Sequence, residues 1–340
     1  MSRVRGGVWT LWVDVAKTER PNTICLGGIS LTKRSPGICL ANAPVSYGAF
    51  EVTVGIDPNT PDGIAILDEV SAAGYEGIDL GPVGYLGLGN ELGMRLADRN
   101  LGLAGAYLEF PFADKARLAE SLKDLDAMLE TFDAVVPFIS GPQPRPTIAD
   151  NGSPFRNSNP GSGRRDPSSG HDEATWEKFG EGLRIVVDRC RSRGYEPTFH
   201  NETGTFVEAP EEIEKMLSVS DVGWCLDTGH FLLGGGEPVT ALNNWFDRIN
   251  HIHIKDATLS RFEKIVEDKA PTTAIWDQEI FPILGQGDLK LETFVEDMHK
   301  LGFQGWAVVE QDIFPKTAAR FQRAAEDQRE NRKILSKLGL

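Results

Sequence analysis

The sequence predicts an α/β chain closed as a single (β/α)8 barrel, on three observations. From Ser35 onward, short apolar runs alternate with stretches of helical apolar spacing, and the alternation occurs eight times. No antiparallel hairpin signal separates the runs, so the strands must run parallel and be joined by right-handed crossovers, and eight such units close on themselves. A doubly wound open sheet would carry a glycine-rich phosphate loop after an early strand, and neither GxGxxG nor GxxxxGKS/T occurs.

Each element follows from local pattern. Residues 38–41 are an apolar run stopped by Asn42, with Pro44, Tyr47 and Gly48 in the loop beyond. Pro61-Asp62 opens a helix carrying Ile64, Ile66, Leu67 and Val70 at helical spacing and ending near Gly74. Residues 77–80 form the second strand, stopped by Gly81-Pro82, and a helix covers about 91–99. Residues 103–108 are strand-like, and 114–131 follow as a helix built on Leu118, Leu122, Leu125, Met128 and Leu129. Residues 134–139 read as the fourth strand. Residues 141–172 then break the rhythm: they are rich in Pro, Gly, Ser and Asn and read as a long loop, either functional or disordered. Its Arg145, Arg156, Arg164 and Arg165 offer a grip for phosphate, without a recognisable phosphate nest. Beyond it come a helix (173–193), a strand (196–200), a helix (210–217), a strand (222–226), a helix (239–245) and a strand (249–254). A second long connection (256–288), a helix (289–301), a strand (306–310) and a terminal helix (316–338) complete the chain.

Composition narrows the partners. The 340 residues carry 35 Lys+Arg against 50 Asp+Glu, a net charge of −15. Nucleic acid and anionic membrane surfaces both demand basic residues, so neither is an expected partner. The apolar runs are far too short to span a bilayer. Cys25, Cys39, Cys190 and Cys225 form no CxxC pair, which signals neither a structural zinc site nor a disulfide framework and suits a cytoplasmic location. Cys190 and Cys225 lie in apolar segments and read as inert core residues. Residues 1–34 hold six basic and two acidic residues, lack a continuous apolar region, and read as a loosely ordered N-terminal extension. Residues 35–340 are then the barrel. The apolar positions of the terminal helix are expected to pack on that barrel, and a homo-oligomer remains open.

In such barrels chemistry sits where strands end. Strand five ends Phe199-His200-Asn201-Glu202, and strand six ends Cys225-Leu226-Asp227-Thr228-Gly229-His230. Strand seven reads His251-Ile252-His253-Ile254-Lys255-Asp256, and strand eight ends Val308-Val309-Glu310-Gln311-Asp312. Alternation puts His200 with Glu202 on one face, and His251, His253 and Lys255 on another. Buried carboxylates need partners, and a divalent cation would serve Glu202, Asp227, Glu310 and Asp256 at once. Mixed carboxylate and imidazole donors suit Mn2+, Co2+, Mg2+ or Zn2+. Plainer readings stand beside this one. Asp227 can cap the helix after it, His251 can be packed or bonded to backbone, and Lys255 can be a solvated rim residue. His171 and His299 receive no role.

At these strand ends the sequence resembles the sugar phosphate isomerase/epimerase superfamily, the xylose-isomerase-like TIM barrels that include the apurinic endonuclease IV group. The segments 226–230, 251–256 and 306–312 carry the resemblance, which runs from about Ile38 to the C-terminus. Within the superfamily, Ala43-Pro44-Val45-Ser46-Tyr47-Gly48, Leu80-Gly81-Pro82-Val83-Gly84-Tyr85-Leu86 and Leu284-Gly285-Gln286-Gly287-Asp288-Leu289 are similar to inosose (2-keto-myo-inositol) dehydratases. The resemblance implies a cation held by a strand-five Glu, Asp227, His253 and Glu310. Here His200 occupies the strand-five position with Glu202 two residues on, so both are candidate ligands. It further implies proton abstraction beside a carbonyl through an enediolate, with Glu202, His230, Glu310 and Lys255 as catalytic candidates and Mn2+ or Co2+ as the favoured ion. The implied substrate is an unphosphorylated keto-sugar or keto-cyclitol, and the reaction a dehydration. Isomerisation, epimerisation and keto-glycoside elimination are the alternatives, and a non-catalytic binding subunit is the reading from another class. The acidic body, −19 without the extension, argues against an endonuclease.

Overall fold

The computed structural model describes residues 37–340; the expectation for residues 1–34 lies outside the described residues. Nine parallel strands form one sheet: β1 (Ile38–Asn42), β2 (Gly77–Ile78), β3 (Gly102–Leu103), β4 (Gly105–Phe110), β5 (Arg145–Asp150), β6 (Thr198–His200), β7 (Gly223–Asp227), β8 (Ile249–Ile254) and β9 (Gly305–Val309). The order β3-β2-β1-β9-β8-β7-β6-β5-β4 brings the sheet's two edges to strands that are consecutive in the chain and separated only by Ala104. The backbone amides of Leu80 and Arg145 bond the carbonyls of Gly105 and Ala104 across that break, so the nine segments occupy eight staves of a nearly closed barrel.

The floor of the barrel is sealed by Trp306, which is 2% exposed and donates its indole N–H to the Pro142 carbonyl. Two strands must start with glycine to admit it. A Cβ at Gly77 would lie 2.6 Å from the indole, and one at Gly102 would lie 2.7 Å from it. The outer core is a continuous apolar layer between strands and helices, with Leu125, Met128, Leu129, Phe132 and Val135 of the helix Lys115–Val135 all buried.

That helix corrects the fourth strand. Residues 134–139 are its last turn followed by a 3-10 turn (Val136–Phe138), and the strand is Arg145–Asp150 instead. The apolar run continues the helical spacing of Leu125, Met128 and Phe132, and a short apolar run cannot be told from a buried helix face by composition. The true strand reads RPTIAD, opening with arginine and proline and carrying Ile148 as its one large apolar residue, so it has no apolar signature.

The segment 141–172 is thus not one loop. After β5 it forms the short helices Pro154–Ser158 and Ser162–Arg165 and a 3-10 turn, Pro167–Ser169. Arg156 anchors it: its side chain is fully buried and pairs with Glu208 (3.4 Å) and Glu212. Arg165 pairs with Glu263, and Arg145 donates to the Glu196 carbonyl, so these arginines have local partners. The second long connection likewise contains helices, Leu259–Glu267 and Ala274–Asp277. Asp256 holds its far end by accepting the backbone amides of Ala257, Gly285, Gly287 and Leu289, which makes it a tether for that segment. The terminal helix Ala319–Lys337 packs on the barrel, where Gln328 accepts a hydrogen bond from Asn42 of β1 (2.9 Å). Among the described residues no helix is long and apolar enough to cross a membrane.

Candidate metal and acid-base centre

Four strands deliver four side chains to the mouth of the barrel. His200 ends β6, Asp227 ends β7, His253 lies on β8, and Glu310 follows β9. One donor atom from each lies within 4.8 Å of the others, and all four residues are buried. His200 Nε2 is 3.3 Å from Asp227 Oδ2, and His253 Nδ1 is 3.1 Å from Glu310 Oε2 and 3.6 Å from Asp227 Oδ2.

Asn201 fixes Asp227. Its Oδ1 accepts the Asp227 amide (3.1 Å) and the Trp224 indole N–H (2.9 Å), and its Nδ2 donates to the Asp227 carbonyl. Asp227 does act as a helix cap: Oδ1 accepts the His230 amide at 2.9 Å and opens the helix Thr228–Leu233. The other oxygen, Oδ2, faces the cluster and lies 3.1 Å from the Lys255 ammonium; His253 Nδ1, which also faces it, has no hydrogen-bond partner, while His200 turns Nε2 into the cluster and Nδ1 toward Glu202. Buried polar atoms of this kind are normally satisfied. Two imidazoles and two carboxylates converging within 4.8 Å of one another fit a divalent cation.

Glu202 stands outside that ring of four. Its Oε1 lies 3.2 Å from His230 Nε2 and its Oε2 3.5 Å from His200 Nδ1. Burial pushes the Glu202 carboxyl up to about 8, against the opposing pull of His230 and Lys255, so it holds a proton at neutral pH. His230 is fixed from its other side by the Thr203 hydroxyl, 2.8 Å from Nδ1.

Lys255 is not a rim residue. It is 2% exposed, and its ammonium lies 3.1 Å from Asp227, 2.9 Å from Glu310 and 2.9 Å from Asp312. Burial alone would discharge it, but the carboxylates of Asp227, Asp312 and Glu310 hold its pKa well above the ordinary value. Gly229 makes room, since a Cβ there would meet the Lys255 chain at 2.7 Å. Two acids given no role from sequence also face this space. Asp312 links Lys255 to His230 (3.5 Å), and Asp79 lies 3.8 Å from His253 Nε2 with an unbonded Oδ1. Burial pushes Asp79 up to about 7. The period-two step from Glu310 pointed to Asp312, and the polar end of the second strand pointed to Asp79. Of the remaining histidines, His251 is fully buried with neither nitrogen bonded, so it is packed but not backbone-bonded. His171 stacks on Phe206, outside the cluster.

The cluster opens into a cavity of about 480 Å³, bounded by Phe50 and Trp276 on one side and by Tyr107, Glu109, Glu51 and Asn157 on others. No arginine lines it among the described residues. A second hollow of about 510 Å³, on the outer surface beside Trp176 and Val219, contains none of these groups.

Comparison with known proteins follows the same line. Residues 67–337 match the family described as xylose isomerase-like TIM barrel. A Lacticaseibacillus casei protein named inosose dehydratase is 32% identical over 152 residues, 44% of this chain and 51% of its own length, so the chain spans about half of that relative. A Geobacillus kaustophilus protein of the same name is 26% identical over 293 residues, covering 81% of this chain and 88% of the relative. The solved structure of an L-ribulose 3-epimerase superposes with a TM-score of 0.60 at 12% identity, over 88% of this chain and 93% of that one.

Proposed function

The chain belongs to the xylose isomerase-like TIM barrel family, and from that premise we propose that it is a divalent-cation-dependent lyase of the inosose dehydratase type. Its substrate is an unphosphorylated keto-sugar or keto-cyclitol. The observation that carries the reading is the convergence of buried donor atoms of His200, Asp227, His253 and Glu310 within 4.8 Å of one another, beside the protonated Glu202. The names of the bacterial relatives favour dehydration among the family's reactions.

The four converging residues would hold the cation, Mn2+ or Co2+, which when bound supplies Lewis-acid polarisation of the substrate carbonyl. The remaining work falls to side chains. Glu310, kept ionised by His253 and Lys255 against the upward push of burial, takes the proton from the carbon beside the carbonyl. Glu202 gives its proton to the departing hydroxyl, and His230, 3.2 Å away, resupplies it. Lys255 neutralises Asp227, Glu310 and Asp312, so the carboxylates can crowd one site without repelling one another. The absence of arginine from the cavity wall among the described residues, and the presence there of Glu51, Asp79 and Glu109, disfavour a phosphorylated substrate.

The test is incubation of chelator-stripped protein with 2-keto-myo-inositol, with and without Mn2+ or Co2+, following the ultraviolet absorbance of the unsaturated diketone. A metal-dependent rise is expected. A flat trace in all conditions overturns the dehydratase reading, and product analysis by NMR then identifies isomerised or epimerised sugar.

A further inference from the structure

Buried side-chain amides meet where the terminal helix lies against the barrel. Along β9 side chains alternate: Trp306 and Val308 pack with Ala41 and Ala104 inside the barrel, whereas Ala307 and Val309 join the outer core. The alternation continues past the strand, turning Glu310 and Asp312 inward to Lys255 and Gln311 outward to the helix. There the Gln328 side-chain amide donates to Gln311 Oε1 (3.0 Å). Gln328 Oε1 accepts from Asn42 (2.9 Å), the register partner of Val309, and from Asn331 (3.3 Å). Asn42 also donates to the Val309 carbonyl (2.8 Å), and the Gln311 backbone amide donates to the Ser46 hydroxyl (3.0 Å). Gln328, Asn42 and Asn331 are fully buried, and Gln311 nearly so. The same layer holds Val309, Ala324, Ala325 and Leu335, so an apolar side chain would fill position 328 as well. What the amides add is a fixed direction for each partner.

We infer that Gln328 is a positioning residue for the centre: through Gln311 it fixes the Glu310 and Asp312 carboxylates on the inner face of the barrel. The inference rests on the metal-dependent reading proposed above and extends it to the outer side of the barrel wall. Gln311 stands between Glu310, which joins the ring of four, and Asp312, which faces Lys255 and His230. A rotation of the backbone at 310–312 swings all three side chains together, and the bond from Gln328 opposes it. Gln328 lies outside the cavity wall and acts only through its neighbour. Small displacements of a reacting group are costly, so an outer anchor of this kind governs rate.

The test compares Gln328→Met and Gln311→Met, which remove the bond from either side, with Leu335→Ala, which loosens the same helix without touching Gln311. Full-length protein is used throughout, with Co2+ as the probe ion. Both methionine variants are expected to bind Co2+ roughly tenfold more weakly, with an altered visible absorption of the bound ion. With 2-keto-myo-inositol they are expected to lose kcat by about tenfold or more while KM changes little. The double variant is expected to lose no more than either single one, as for partners in one interaction. Leu335→Ala is expected to lower the melting temperature and keep the Co2+ spectrum and kcat of wild type. A measurement on wild type alone is NMR of the Gln328 and Gln311 side-chain amides, whose signals are expected to shift on loading with Zn2+. Methionine variants that match wild type in Co2+ affinity, spectrum and kcat, or amide signals that ignore Zn2+, overturn the role of Gln328 and leave the metal-dependent reading standing. Failure of wild type to bind either ion overturns both.

Discussion

Asp227 divides its two carboxylate oxygens between folding and chemistry, one capping a helix and the other facing the cluster. Glu202 and His200 divide the strand-five position in the same way, and substitution separates their roles. His200→Asn is expected to weaken Co2+ binding roughly tenfold or more. Glu202→Gln is expected to retain Co2+ affinity while losing turnover by about a hundredfold or more; calorimetric titration and steady-state rates measure the two. A stability effect sits at Asp150, which ends β5 and accepts the amides of Gly152 (2.8 Å) and Phe206 (3.1 Å). Burial pushes its carboxyl from 3.8 up to about 7. Between those values the folded chain holds a proton that the unfolded chain has released. Its stabilising contribution is therefore full below 3.8 and is lost as pH rises through 7. Urea unfolding across that range is expected to show a shallower fall in stability for Asp150→Asn than for wild type.

Elements with an apolar periodicity were legible in the sequence, β8 included, where Ile252 and Ile254 alternate with His251 and His253, and β5, which lacks one, was not. Helix Lys115–Val135 announced itself by spacing, whereas β5 begins Arg-Pro and buries the polar Thr147 and Asp150. The segment after β5 lacked any periodicity because its order comes from a buried ion cluster rather than an apolar stripe. Arg156 pairs with Glu208 and Glu212, and Glu208 also accepts the amides of Gly161, Gly163 and Gly204. Removing the guanidinium would leave buried carboxylates unpaired, so Arg156→Met is expected to cost about 3–5 kcal/mol of stability, read by chemical denaturation. Because Asn157 lines the cavity beside Arg156, the same variant is expected to raise KM.

For the molecule as a whole, the alternation of runs predicted the barrel, and the strand-terminal His, Asp and Glu predicted the cluster. The pairing of Lys255 with Asp227, Glu310 and Asp312 was not legible in the sequence, since these residues lie far apart in the chain and meet only through the order of β7, β8 and β9. The cluster in turn links ligand binding to the stability of the barrel, because it ties β6, β7, β8 and the end of β9 together. A cation at about 100 times its dissociation constant adds about 2.7 kcal/mol to a folded state that alone can bind it. Co2+ is therefore expected to raise the melting temperature of wild type and to leave that of Asp227→Asn unchanged. The central claim, that this centre removes a proton from the carbon beside a carbonyl, is tested most directly by solvent exchange. The protein is incubated with 2-keto-myo-inositol in deuterated water and the C–H signals next to the keto group are followed by NMR. Loss of those signals, or incorporation of deuterium into product, only with Co2+ or Mn2+ present is the predicted result. No exchange with the metal-loaded protein, or exchange at the same rate after chelation, would contradict it.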